Sequence, residues 1–192
     1  MFERAGLEEA IEALGETLAE RGHSCGILVI GGGSLLMLGL VRRPTADLDV
    51  VGLPSRDGYT KADSLPDFLQ DAAREVGDAF GLGDRWLNTG PAGLIDFGLP
   101  PGLEERVTIR RYGGLEVHLP AREDLICFKL YACVDQGERS KHFADLENLP
   151  ASRSELLNAA RWTRSQDPSQ GFKQELTRIL PLLGCEVSDG DL

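Results

Sequence analysis

Two aspartates separated by one residue, Asp47 and Asp49, are the residues whose type and spacing most directly indicate chemistry in this chain. They stand in the segment ADLDVVGL, whose alternation predicts a β-strand with both carboxylates on one face. Neighbouring carboxylates repel each other unless a cation or a basic group lies between them. Oxygen ligands suit Mg²⁺, which binds one or two carboxylates and keeps phosphate oxygens in its shell. This aspartate pair therefore indicates a magnesium site that acts on a phosphorylated substrate.

Three consecutive glycines, Gly31–Gly33, precede the aspartate pair and follow the apolar run CGILVI. The run predicts a buried strand, and Ser34 is expected to cap a short helix that ends near Arg43-Pro44. Because glycine has no Cβ, the backbone N–H groups of this glycine turn can approach a phosphate closely. A phosphate-binding turn beside a metal-binding Asp-x-Asp is typical of phosphoryl or nucleotidyl transfer.

The remaining periodicities predict the elements that position these residues. Helical spacing is found over residues 5–21 and 62–80, and residues 54–61 are expected to form a loop. The segment GLIDFGL (93–99) predicts a third strand, and VTIRRY and LEVHL predict a hairpin around Gly113-Gly114. Helical patterns follow Pro120. The predicted fold is α+β, a small mixed sheet flanked by helices. The predicted organisation is an α/β core over 1–120 and a helical section over 121–192, packed as one structural unit.

Composition limits the classes of function. The chain has 192 residues and a net charge of −11, so it is a poor general binder of nucleic acid. Only residues 101–143, with seven basic and seven acidic residues, offer a local basic surface. No apolar run predicts a membrane span, and the amino-terminal segment lacks the pattern of a signal sequence, so a cytoplasmic location is expected. The four cysteines form no CxxC pair, which argues against a zinc site or a disulfide framework.

Three motifs in order resemble a known family. They are GGGSLL followed by VRRPTADLD, then EDLICFKLYA (123–132), then RSKHFADLENL (139–149). Over residues 25–149 the chain resembles the nucleotidyltransferase superfamily with the polymerase-β-like fold, and within it the AbiEii/AbiGii toxin-type enzymes of bacteria. Twelve residues separate Ser34 from Asp47, which matches the spacing of that superfamily.

The resemblance implies a role for individual residues. Asp47 and Asp49 would bind Mg²⁺, and Lys129 would contact the triphosphate or assist catalysis. The superfamily also carries a third carboxylate, on a later strand, as a metal ligand or general base. Asp96 is the first choice for it and Glu116 the rival. The residues implied to bind the nucleotide are Gly31, Gly32, Gly33, Ser34, Arg43, Thr45, Lys129 and Asp145.

The resemblance also implies an activity and partners. The chain is expected to move a nucleoside monophosphate from a nucleoside triphosphate to a hydroxyl acceptor, with tRNA or another RNA as a candidate. It is expected to act as the toxin of a toxin–antitoxin pair, with a cognate antitoxin protein as partner. The alternative is a degenerate relative that binds nucleotide or a partner protein without transfer. A dinucleotide-binding domain is a third reading, although its motif needs a glycine where Leu36 stands.

Each motif also has an explanation without function. The glycines form ordinary tight turns in many proteins, and the aspartate pair would then cap a turn and pair with Arg42 or Arg43. Lys129 would be solvated on a helix or extend past its apolar neighbours. Asp145 would pair with Lys141, four residues earlier on a helix surface.

Overall fold

The chain folds into two compact units, described here from a computed structural model that covers residues 3–188 and 190–192. The first unit runs to Asp96 and also includes Gly102–Pro120. The second unit comprises Phe97–Pro101 and Ala121–Leu192. All strands of the described residues lie in the first unit, and four helices make up most of the second. The predicted α+β class, with a mixed sheet and a helical carboxyl-terminal section, is confirmed.

The first unit is built on a mixed six-stranded sheet. Its strands are β1 (Cys25–Ile30), β2 (Leu48–Ser55), β3 (Gly58–Lys61), β4 (Leu87–Asn88), β5 (Thr108–Tyr112) and β6 (Leu115–Leu119). Strand β1 is central, antiparallel to β2 and parallel to β6, and the order across the sheet is β3-β2-β1-β6-β5. The two-residue strand β4 runs parallel to the start of β2, while β3 pairs with the end of β2.

Two helices of the first unit follow the predicted periodicities, α1 (Arg4–Glu20) and α3 (Asp67–Ala79), and α2 (Gly31–Met37) packs against β1 and β2. The apolar stripe of α1, which includes Leu7, Ile11 and Leu14, is fully buried, and this helix packs against β5, β6 and α3. Helix α2 begins at Gly31 rather than at Ser34, so the glycine turn forms its first turn. This unit also contains the short helix α4 (Leu103–Arg106).

The strand expected over residues 93–99 is wrong. Residues 90–95 form a 3-10 helix instead, with Pro91 in its first turn, where the fixed φ of proline suits a helix and its missing N–H is tolerated. Ile95 covers the sheet where Gly52 leaves room, since a Cβ on Gly52 would lie 2.7 Å from its Cδ1. The loop expected over 54–61 is also wrong, because a two-residue turn at Arg56-Asp57 pairs β2 with β3.

The second unit is a helical array centred on α5, which contacts the three helices that follow it. The hydroxyl of Ser140 caps α6, and Ser152 and Glu155 form a capping box at the start of α7. These helices are α5 (Arg122–Gln136), α6 (Lys141–Asn148), α7 (Arg153–Gln166) and α8 (Gln170–Leu182). Within residues 3–188 and 190–192, no helix combines the length and the apolar character needed to span a membrane.

Candidate functional site

The glycine turn lies directly against Asp49. Ile30, the last residue of β1, is paired with Asp49 in the ladder to β2, so Gly31 leaves the sheet beside that carboxylate. Gly31 has a φ of +78°, which side-chain-bearing residues rarely adopt. A Cβ at this position would collide with Oδ2 of Asp49 and lie 3.2 Å from its Cγ. Only glycine therefore allows this approach of the turn to the carboxylate.

The next two glycines bring the turn against the segment that carries the aspartate pair. A Cβ on Gly32 would lie 3.0 Å from the hydroxyl of Thr45 and 3.2 Å from a terminal nitrogen of Arg43. A Cβ on Gly33 would lie 2.7 Å from Cδ1 of Leu48. The predicted neighbours Arg43, Thr45 and Asp49 thus surround the glycine turn.

Asp47 is held by local bonds just before β2 begins. The hydroxyl of Thr45, which is buried, lies 3.2 Å from the carbonyl oxygen of Asp47 and 3.4 Å from its Oδ1. Asp47 and Asp49 are both half-buried, so each carboxylate keeps some contact with solvent. The tertiary structure therefore brings together the glycine turn, Arg43, Thr45 and the aspartate pair.

Asn88 is a site residue that sequence reasoning missed. It lies on β4, paired in the ladder with Asp49, and its Nδ2 donates to Oδ1 of Asp49 at 3.2 Å. Its own Oδ1 accepts from the backbone N–H of Gly90 at 2.9 Å, which fixes the orientation of the amide. A strand of two residues has no periodicity to detect, so no signal in the sequence pointed to this residue.

Asp96 was predicted to be the third carboxylate because it was expected on a later strand. In the structure it does not lie on a strand. It follows the 3-10 helix, its side chain is 47% exposed, and it accepts from Nζ of Lys61 at 2.7 Å. The hydrogen bond to Asp96 raises the pKa of Lys61, and Asp63, 3.4 Å from the same ammonium, adds to the rise. Asp96 is thus part of an ion pair with a cation of β3.

Glu116, the rival for that role, lies at the other end of the ladder. It is paired with Gly26, four residues before the end of β1, or about 13 Å along the strand from the glycine turn. The Nε of Arg111 donates to Glu116 at 2.8 Å and lowers the pKa of its carboxyl. Across the described residues, no three His, Cys, Asp or Glu side chains converge to hold a metal ion. The aspartate pair is therefore the carboxylate pair that borders the glycine turn.

The last residue of the first motif, Ser34, is enclosed rather than presented at the turn. Its side chain is fully buried, and its Oγ has no hydrogen-bond partner among the described residues. Because α2 begins at Gly31, Ser34 lies one turn inside the helix and faces packed side chains. Gly32 and Gly33 are buried as well, so Gly31, which is half-buried, is the glycine of the turn that keeps contact with solvent.

Lys129 and Asp145 form a buried ion pair in the second unit. Nζ of Lys129, on α5, lies 2.7 Å from Oδ2 of Asp145, on α6, and the side chains are 3% and 1% exposed. Asp145 therefore does not sit on the helix surface with Lys141, and Lys129 does not extend into solvent. Two residues from separate motifs of the sequence meet here, with their charges removed from water.

Comparison with known proteins adds no assignment. The chain matches no protein-family model, no curated protein and no solved structure.

Proposed function

We propose that this protein is a Mg²⁺-dependent nucleotidyltransferase that moves a nucleoside monophosphate from a nucleoside triphosphate to a hydroxyl acceptor. The observation that carries the proposal is the approach of the glycine turn to Asp49, so close that a Cβ on Gly31 would overlap its carboxylate. A phosphate bound by the backbone of the turn then lies within reach of the aspartate pair. The order of the three motifs adds support through their resemblance to nucleotidyltransferases.

The chemistry of the ligands fits magnesium. Asp47 and Asp49 offer only oxygen atoms, and Mg²⁺ is commonly held by two carboxylates with substrate phosphates and water completing its shell. When bound, the metal supplies charge neutralisation on the phosphates. The guanidinium of Arg43, beside Gly32, is placed to donate to a phosphate oxygen. The amide of Asn88 keeps Asp49 oriented toward the turn.

In the proposed reaction the acceptor oxygen forms a bond to the α-phosphorus. The bond between that phosphorus and the oxygen bridging to the β-phosphate breaks, and pyrophosphate leaves with the electron pair. The acceptor hydroxyl passes its proton to solvent in this proposal. Asp96, the predicted general base, is instead engaged in the ion pair with Lys61. The role that the resemblance implies for Lys129 does not enter this reaction, because its ammonium is enclosed in the ion pair with Asp145 in the second unit.

The proposed acceptor is the end of an RNA, with tRNA first, and the proposed partner is an antitoxin protein. With a net charge of −11, the chain cannot neutralise a long phosphate backbone, so we expect contact with only a short terminal segment. The short length of RNA contacted distinguishes an enzyme that modifies RNA ends from a general RNA-binding protein.

The test uses purified protein, Mg²⁺, each α-labelled nucleoside triphosphate in turn, and bulk tRNA or protein as acceptor. Wild type should label one acceptor, and the Asp47→Asn/Asp49→Asn variant should not. The matched control is Asp57→Asn/Asp78→Asn, which removes the same charge from two exposed positions of the first unit and should keep full activity. Undiminished transfer by the Asp47→Asn/Asp49→Asn variant would refute the mechanism.

A second candidate, nucleotide binding without transfer, is favoured by one observation. The ladder position beside Asp49 is held by Asn88, a neutral amide, and no third carboxylate joins the pair among the described residues. Calorimetry separates the two candidates. Magnesium-dependent binding of a triphosphate that the Asp47→Asn/Asp49→Asn variant loses, with no labelled product on any acceptor, would establish the second candidate.

A further inference from the structure

A cleft of about 450 Å³ lies in the first unit and extends to Asn88. Residues 63–74 line one side, including part of α3, and residues 84–90 line the other. Asn88 belongs to its lining and also donates to Asp49, so one amide separates the cleft from that carboxylate. In the ladder, Asp49 has Ile30 and the glycine turn on one side and Asn88 on the other. The cleft and the turn therefore flank the same carboxylate.

The lining of the cleft combines apolar surface with fixed hydrogen-bonding groups. Leu65, Ala73 and Leu87, each 7% exposed, give it an apolar surface against which a flat ring can pack. The Nε2 of Gln70 donates to the carbonyl of Leu65 at 2.6 Å, which orients the amide and leaves its Oε1 as an acceptor. The hydroxyl of Thr89 caps no helix and makes no side-chain hydrogen bond among the described residues.

The charges that line the cleft balance. Two aspartates, Asp63 and Asp84, are offset by Arg74 and Arg85. A cleft without excess positive charge does not favour a polyanion such as an RNA backbone. A volume of about 450 Å³ lies in the range of small-molecule sites. Size, charge and lining thus select a small uncharged group with one flat apolar part and several polar edges.

We propose that this cleft binds the nucleoside of the donor triphosphate, whose phosphates extend past Asn88 to the aspartate pair and the glycine turn. This inference rests on the proposed function and adds to it the place of the base and sugar. The apolar surface packs on the base, Oε1 of Gln70 accepts from a base N–H, and the hydroxyl of Thr89 bonds to the ribose. The nucleoside alone should therefore bind without the aspartate pair, whereas binding of the triphosphate should also depend on that pair.

The experiment follows backbone amide resonances while adenosine, guanosine, cytidine and uridine are added in turn, with EDTA present. We expect at least one nucleoside to shift the amides of Ala73, Thr89 and Gly90. Gln70→Leu and Thr89→Val should each weaken the binding of that nucleoside about three- to tenfold. A change of this size corresponds to the loss of one neutral hydrogen bond. Asp78→Asn, on an exposed part of α3 outside the cleft, is the control and should leave the affinity unchanged. The same spectra report whether each variant is folded.

Failure of the inference and failure of the proposed function give different results. If no nucleoside shifts the cleft amides up to its solubility limit, the inference is overturned even if transfer occurs. A second outcome is that Thr89→Val weakens the binding of the nucleoside but leaves the binding of the magnesium triphosphate unchanged. The cleft then binds the terminal nucleoside of an acceptor, and its assignment to the donor is wrong. If Thr89→Val weakens the binding of both the nucleoside and the magnesium triphosphate while no acceptor is labelled, the cleft does bind the donor nucleoside and the transferase function is refuted. Asp47→Asn/Asp49→Asn should weaken the binding of the triphosphate and leave the binding of the nucleoside unchanged.

Discussion

Replacing Lys129 with methionine would remove the ammonium group that lies 2.7 Å from Asp145 in the interior of the second unit. The aspartate would keep its charge in a place from which water is excluded, since its side chain is 1% exposed. Truncating one partner of a buried ion pair costs about 3–5 kcal/mol, whereas an exposed pair contributes about 0.2–1 kcal/mol. The burial of both groups places this pair in the first class.

The expected loss is large enough to measure by thermal or urea unfolding at neutral pH. For a chain of this length, 1 kcal/mol corresponds to about 2–4 °C, so Lys129→Met should lower the Tm by roughly 6–20 °C. The control is Arg178→Met, which removes the cation from the exposed pairs with Glu138 and Glu175 in the same unit and should cost about 1 kcal/mol or less.

A double variant separates the charge from the loss of side-chain atoms. Lys129→Met/Asp145→Leu removes both charges and replaces them with apolar groups, an exchange that is often neutral or stabilising for buried pairs. We expect it to be more stable than Lys129→Met alone, with a coupling energy of about 2 kcal/mol or more in a double-mutant cycle. A loss below about 1 kcal/mol for Lys129→Met would refute the argument from burial.

The double variant also tests the contact with the triphosphate that the family resemblance implies for Lys129. A folded double variant that no longer transfers label would support that role. A folded double variant with full transfer would confine the pair to stabilising the second unit.

Three further predictions concern the first unit. Gly31→Ala should destabilise the protein by about 1–3 kcal/mol in urea unfolding, because a side chain at a φ of +78° is strained and its Cβ overlaps Asp49; Gly6→Ala, with nothing within 4 Å, should be neutral or stabilising. Asn88→Asp places a third carboxylate beside Asp49, so Mg²⁺ should raise its Tm more than that of Asn88→Ala, and equal shifts would contradict the proposed metal position. Burial lowers the pKa of His118, so the folded protein takes up this proton less readily than the unfolded chain; stability should fall as the pH drops below about 6.5, and His118→Asn should reduce that slope in urea titrations at several pH values.

Local patterns accounted for much of the first unit. The apolar spacing over residues 5–21 led to α1, and the two segments around Gly113-Gly114 led to the β5–β6 hairpin. Apolar residues repeat with the period of the helix or strand where an element buries one face, as α1 and β6 do. Strand β5 has no buried residue, and the glycine turn between it and β6 was the signal that predicted the hairpin. The 3-10 helix over residues 90–95 has no such period, and the apolar character of GLIDFGL was mistaken for a strand.

Residue types and their order are enough to establish that three glycines precede an Asp-x-Asp pair, and that an acidic chain has an α/β pattern before a helical one. The groups that surround this pair are known only from the folded chain. Pairing of β4 with β2 brings Asn88 to Asp49 across 39 positions of sequence, and packing of the 3-10 helix against β2 and β3 brings Asp96 to Lys61. The meeting of Lys129 with Asp145 depends in the same way on the packing of α5 against α6. Contacts between residues far apart in the chain are set by ladder register and helix packing, which local periodicity does not encode.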